Sequence, residues 1–559
     1  MKLNQHPIAR MIKTLTRLIK QHAPKTFLVS SAIGVVGGLA NTASIALIHQ
    51  AVKGGVTPRL SNFALFIALC LSAQLTRTLS QYLLWKGCLR STVTLVTNLT
   101  ASILATPLRR LEEIGPSKLV TALERDCVSL TDAVITMPLL LLNCTVLFGC
   151  AAYLAWQSPL AALVFVVLIV MATSSTFIVI GRTSGIQRRA RAEVDRLFEY
   201  FRSQSAGVKE LKLNAKRRVD FLKGLRDTAE TACRLEVSVQ TIYVASAGWF
   251  QLVFLIPIGV LVFVVTNLFP ISVAEVGAYA LVLLYMTSTI SALSGQIQGL
   301  GRGAVAFSNI ESLGLSLEKP EQAYTEQSPA AASPAWSHLE LVNVKHYFAA
   351  VDGQRPFVVG PINLRFRRGE VVFITGGNGS GKTTLAKLLC GLYLPDEGVI
   401  RIDGVTVTPD SVEEYRQRFS AVFWDFHLFK RLFGLDAEKT QELARARLVD
   451  LQLHTKVNVL DGEFTTLNLS QGQRKRLALL VGALENREVY VFDEWAADQD
   501  HTFRDHFYNK VLADLRSAGK TVFVISHDER YFGVADQIVK LDLGSVISDA
   551  RAERYAAPA

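Results

Sequence analysis

The chain has 559 residues, 50% of them hydrophobic and only 19% charged, with a mean hydropathy of +0.28; this excludes a disordered chain and a wholly soluble enzyme. The net charge of +11 is split, with 31 Lys+Arg against 16 Asp+Glu in residues 1–320 (+15) and 28 against 32 in residues 321–559 (−4). The basic excess flanks apolar segments instead of gathering on a soluble domain, which excludes a nucleic-acid binder and points to membrane topology.

In chain order, six apolar stretches come first: 26–50, 61–84, 131–156, 159–181, 240–268 and 273–297. Each reaches the ~20 residues a helix needs to cross the hydrocarbon core. The first follows Lys and Arg residues, but it is too long for a signal-peptide core and five more spans follow, so it reads as a retained helix. The first 25 residues carry six Lys/Arg, the loop 85–130 six and the loop 182–239 fourteen, while the alternate loops carry two or none. The positive-inside rule therefore predicts a cytoplasmic N-terminus and two long cytoplasmic loops. Both loops are helix-permissive, so the membrane helices are expected to continue as a stalk.

Arg77 lies within the second span, near Gln74 and Gln81. An ionisable group there is a substrate-contact hypothesis, set against a side chain that snorkels to the interface. The seven cysteines include no CxxC pair and read as small buried hydrophobes, not as a disulfide framework or zinc site. Residues 318–337 are rich in Pro, Ala and Ser and form a linker. It divides a membrane domain, 1–317, from a soluble domain, 338–559.

Past the linker, short β-rich runs (LELVNV, GEVVFITG, VYVFDE, TVFVISH) alternate with helical stretches, the pattern of an α/β domain on a largely parallel sheet. The strand VVFIT leads into Gly376-Gly377-Asn378-Gly379-Ser380-Gly381-Lys382-Thr383-Thr384, a phosphate loop in the required strand–loop–helix context. Its glycines let backbone N–H groups curl around phosphate oxygens, Lys382 reaches the β/γ-phosphates of ATP, and the Thr383 hydroxyl suits Mg²⁺. VYVFDE ends in Asp493, suited to hold Mg²⁺, and Glu494, suited to polarise the attacking water.

Between these motifs stands Leu469-Ser470-Gln471-Gly472-Gln473, one substitution from LSGGQ. With the phosphate loop, the paired acids and His527 in VFVISHDE, it makes the chain resemble an ATP-binding-cassette (ABC) exporter over nearly its whole length. The fold this implies is an α-helical six-span transmembrane domain of the type I ABC exporter kind, followed by an α/β P-loop nucleotide-binding domain. In that family Ser470 and Gly472, with Gln471 and Gln473, would meet the nucleotide of a second subunit. His527 would contact the γ-phosphate, and Asp500 would lie in the loop bridging two sites. Phe348 stands at the family's offset for the aromatic that stacks on adenine, with Tyr347 the alternative. The resemblance further implies a homodimer in the bacterial inner membrane, in contact with membrane lipid, with its nucleotide-binding domains cytoplasmic and no nucleic-acid partner. It leaves any periplasmic acceptor unidentified.

One departure stands out. Where such exporters carry a Gln that contacts Mg²⁺, the segment reads Phe423-Trp424-Asp425-Phe426-His427. Trp424 cannot ligate a metal, so either Asp425 takes over or that contact is dropped. FSAVFWDFHLF, DEWAADQD and LSQGQRKRLALL together resemble the cyclic-peptide exporter group, which includes syringomycin-, pyoverdine- and lasso-peptide-exporter-like members. The cargo this implies is a cyclic peptide, lipopeptide or peptide siderophore precursor; a lipid or drug flippase and an ATP-gated regulatory protein are the alternatives.

Overall fold

Backbone polar groups find no water inside a bilayer, so a spanning segment satisfies them internally as a helix. The computed structural model describes residues 24–52, 60–265, 273–315, 336–348 and 357–551, and its first unit is built on that rule. Among the described residues six long helices follow one another: α1 (Pro24–Val52), α2 (Leu60–Ala105), α3 (Cys127–Gln157), α4 (Pro159–Ala206), α5 (Ala215–Val260) and α6 (Val273–Ser312). One expected span falls on each. Among the described residues, five helical runs are long and apolar enough to cross a membrane. The fourth expected span lies on α4, where the described apolar run is Leu163–Ala172 and several side chains within 160–180 fall outside the described residues. The basic N-terminus, the loops 53–59 and 266–272, and the linker as far as 335 also lie outside them.

Helices α2, α4 and α5 have 46, 48 and 46 residues. At ~1.5 Å per residue each is roughly 70 Å long, more than twice the ~30 Å hydrocarbon core. The helix-permissive loops are thus continuations of the spanning helices, as a stalk requires.

Apolar side chains gain little by leaving lipid for a neighbouring apolar helix, so close approach is decided by small residues. A Cβ on Gly149 of α3 would lie 2.7 Å from Thr42 Oγ1 of α1, and one on Gly37 of α1 would lie 2.6 Å from Thr76 Oγ1 of α2. Both threonines are fixed by bonds to their own helices, Thr42 to Gly38 O at 2.9 Å and Thr76 to Ser72 O at 2.6 Å. Gly149→Leu should therefore push α1 from α3 and lower stability by about 1–3 kcal/mol, the usual cost of overpacking. A thermal melt of the purified protein reads this, and an unchanged midpoint would show that the contact does not limit packing.

Arg77 is exposed on α2, within electrostatic reach of Tyr285 on α6, whose hydroxyl accepts a hydrogen bond from Asn41 of α1. Cys127, Cys150 and Cys390 are buried, but Cys233 on α5 is exposed; the reading of the cysteines as buried hydrophobes fails there. Burial pushes the Cys390 thiol up to about 12, which leaves it unreactive.

The second unit takes in residues 107–109 and the described residues from 336 onward. Its strands form two main sheets and a small antiparallel ribbon of β7 (Val459–Leu460) and β8 (Glu463–Phe464). One is antiparallel, in the order β2 (Val358–Arg367), β1 (His338–Tyr347), β4 (Glu397–Ile402), β5 (Val405–Thr406). The other has six strands, β12 (Ser545–Arg551), β11 (Gln537–Asp542), β3 (Val371–Gly376), β10 (Thr521–Ile525), β9 (Val489–Asp493) and β6 (Phe419–Val422), parallel from β11 to β6. Strands β9 and β10 are buried along their whole length, which is why they read as unbroken apolar runs. The antiparallel sheet was not legible in the alternation pattern, because β1 is broken by register shifts between Leu341 and Val344 and between Val344 and His346.

Candidate nucleotide site

Parallel pairing assembles the site. Ile525 of β10 lies level with Ile374 of β3 on one side and with Asp493 of β9 on the other. The ends of β3 and β9 therefore emerge on one edge, the carboxyl edge at which open α/β sheets bind ligands.

At the end of β3 the backbone turns in a way that requires glycine. Gly376 has φ +149°, and a Cβ there would lie 2.2 Å from Leu541 O; Gly379 and Gly381 have φ +77° and +98°. Helix α7 (Lys382–Leu389) starts directly behind them, so its free N–H groups open toward the loop and favour an anion. The Lys382 ammonium folds back over the loop and donates to Gly376 O (3.0 Å) and Gly377 O (2.9 Å). Burial lowers its pKa, against the pull of the Glu494 and Asp493 carboxylates.

The Thr383 hydroxyl donates to Asp493 Oδ2 at 3.0 Å, so the two expected Mg²⁺ ligands meet across 110 residues of sequence. Burial raises the Asp493 carboxyl above its ordinary range, Thr383 and Lys382 oppose this, and the charges of Glu494 and Asp425 add to it. Glu494 follows with φ +48°, its N–H donating to Ile525 O at 3.1 Å. Its carboxylate Oε1 lies 3.5 Å from His527 Nε2. Lys382, Thr383, Thr384, Asn378, Glu494 and Phe348 are among the residues lining a cleft of about 440 Å³.

Ser470 caps α8 (Gln471–Glu485) with a reciprocal pair: its Oγ accepts from Gln473 N (3.4 Å) while Gln473 Oε1 accepts from Ser470 N (3.2 Å). A Cβ on Gly472 would lie 2.7 Å from Asp498 O, so glycine permits the close approach of the loop after β9. Asp500 accepts from Phe503 N (2.9 Å) and pairs with Arg476 (2.6 Å). The Phe503 N–H and the guanidinium together hold its carboxyl below the usual range.

Residues 359–497 match the family model described as ABC transporter. The chain is 33% identical to ATP-binding protein SyrD of Pseudomonas syringae pv. syringae, over 99% of each protein. The chain belongs to the bacterial ABC exporter family. It is 30% identical to the probable syringafactin export ATP-binding/permease protein SyfD of Pseudomonas syringae pv. syringae (strain B728a), across 38% of this chain and 34% of that one. The solved structure of a bacterial Atm1-family ABC exporter with ATP bound shares the fold, with a TM-score of 0.76 over 94% of both chains at 16% identity. The protein is a multi-pass membrane protein and an ATPase coupled to transport.

In this exporter Phe348 lines the cleft, joined by Phe357, whose ring centroid lies 6.1 Å away. Tyr347 is turned elsewhere, its hydroxyl donating to Glu397 at 2.6 Å. Sequence reasoning missed Phe357, which no motif marks. It also missed Arg109, one of the three residues from earlier in the chain that group with this unit; Arg109 donates to Asp396 (2.7 Å) and to Tyr347 O (2.8 Å). Trp424 is 60% exposed and lines both the first cleft and a second of about 400 Å³. Asp425 lines only the second, with Lys475, Glu494 and Asp498 among its neighbours. Its charge reaches Asp493, but it does not join Thr383 in the first cleft.

Proposed function

We propose that this exporter is an ATP-driven homodimeric half-transporter of the bacterial inner membrane, its nucleotide-binding domains cytoplasmic, carrying a cyclic peptide, lipopeptide or peptide siderophore precursor. The observation that carries the dimer is the composition of the nucleotide cleft: the phosphate loop, Phe348 and Glu494 line it, while Ser470 and Gly472 do not. The exposed start of α8 is thus free to complete the cleft of a second copy, as the family's arrangement requires. The cargo class is supported by the cassette segments around Trp424, Trp495 and Ser470, and by the likeness to a protein named for syringafactin export.

In this reading Phe348 stacks on adenine, the loop 376–384 and Lys382 hold the phosphates, Glu494 takes the proton of the attacking water, and His527, 3.5 Å from that carboxylate, contacts the γ-phosphate. Thr383 and Asp493 fit Mg²⁺, because they offer two hard oxygens 3.0 Å apart at the phosphate end of the cleft. Bound there, the ion would neutralise charge on the β- and γ-phosphates. Nucleotide-driven closure and hydrolytic release of two copies would bias the membrane helices between inward-open and outward-open states.

The test is ATP hydrolysis by the full chain in lipid nanodiscs against cyclic peptides, lipopeptides, acylated siderophore precursors and lipids. Several-fold stimulation by one peptide class is the expected result. Stimulation by lipids alone would replace the cargo reading with a flippase.

A further inference from the structure

Helix α8 is tied to the loop after β9 by a buried cation that none of the motifs assigns. Lys475 is 3% exposed. Its ammonium donates to the backbone carbonyl of Glu494 at 2.8 Å and pairs with Asp498 Oδ2 at 2.7 Å. The indole N–H of Trp495, itself buried, donates back to Lys475 O at 2.8 Å. The contact therefore runs both ways between the helix and the two residues at the end of β9.

The carbonyl that Lys475 holds belongs to a residue that needs holding. Glu494 sits in the left-handed region at φ +48°, a conformation that a non-glycine side chain keeps only where its surroundings over-determine it. Its peptide is fixed on one side by the bond to Ile525 O at 3.1 Å. On the other side its carbonyl accepts from Lys475 and, less closely, from Ala497 N at 3.3 Å. Of these anchors, only Lys475 connects the peptide to α8, the helix whose start carries Ser470 and Gly472. The ion pair alone does not account for the arrangement, because Asp498 keeps 47% of its side chain exposed and surface pairs contribute little.

We propose that Lys475 is a positioning residue for Glu494: its ammonium fixes the Glu494 peptide to α8, so that the carboxylate points at the attacking water only when α8 is seated. The inference rests on the reading of Glu494 as the base. A group displaced by about 1 Å loses on the order of 10²-fold in rate, so the effect belongs in kcat and not in ATP binding, for Lys475 is absent from the lining of the first cleft.

The experiment compares the full-length exporter in nanodiscs with Lys475→Met, Lys475→Arg, Lys475→Leu and Glu494→Gln, measuring kcat and KM for ATP. Lys475→Met should lower kcat by about tenfold or more with KM within about twofold. Lys475→Arg, which keeps both a donor and a charge, should recover most of the rate. Should Lys475→Met not purify folded, Lys475→Leu makes the same point with another apolar side chain that has no donor, and wild-type kcat in it overturns the proposal. An inactive Glu494→Gln beside a fully active Lys475→Met refutes the positioning role alone. Retained turnover in Glu494→Gln removes the base itself, and the proposal with it.

Discussion

Glu494→Gln should reduce ATP turnover by about 10²–10⁴-fold, the range general-base catalysis contributes, while leaving ATP binding close to wild type. The substitution keeps the size of the side chain and its capacity to meet His527, now 3.5 Å from Oε1, but removes the basic oxygen pair. Binding should survive because the groups suited to hold the nucleotide are elsewhere: Lys382 and the glycines on the loop, Thr383 on α7, and Phe348 at the rim. Steady-state hydrolysis paired with equilibrium binding of a fluorescent ATP analogue separates the two effects. Loss of both would mean that the variant disturbs the loop, with Glu494 acting on structure through its left-handed backbone; loss of neither would take the base role away from it.

The contrast between what the sequence announced and what it hid follows from the range of the interactions. The phosphate loop was legible because its geometry is local: strand, glycine turn and helix start lie within fourteen consecutive residues, 371–384. The meeting of Thr383 with Asp493 was legible indirectly, since two buried parallel strands ending in motif residues emerge on one edge. The membrane helices announced themselves by length and apolarity. The preference for Phe348 over Tyr347 rested on the family's offset and not on strand alternation, because period-two reasoning needs an unbroken strand and β1 carries two register shifts and a left-handed Asn343; a bulge re-aims every side chain beyond it. Lys475 was hidden for a different reason. A lysine among RKR following the LSQGQ run reads as solvated charge, and only the fold reveals that the middle one is buried on the Glu494 carbonyl. Trp424 was recognised as a departure, yet its position between two clefts, with Asp425 facing only the second, depends on the loop conformation after β6.

Lys382→Met should act on the other side of the reaction, weakening ATP binding by about a hundredfold and taking turnover to background. The ammonium now lies 3.0 and 2.9 Å from two loop carbonyls, poised to exchange them for phosphate oxygens. A charge-assisted bond of about 1.5–3 kcal/mol accounts for a loss of that size. A second effect compounds it. Asp493 is already raised by burial, and Lys382 is one of the charges opposing that rise; removing it leaves the carboxyl less ready to ionise and so weaker as a ligand for Mg²⁺. Lys382→Arg should not restore function, since a planar fork cannot coil between two carbonyls of a tight glycine loop as a point charge on a flexible stem does. The measurement is nucleotide affinity with and without Mg²⁺ in both variants. A wild-type affinity in Lys382→Met would assign the anion site to the N–H groups at the start of α7 alone. Loss of affinity there, beside retained affinity in Glu494→Gln, would divide the site into a binding half on β3 and α7 and a chemical half at the end of β9.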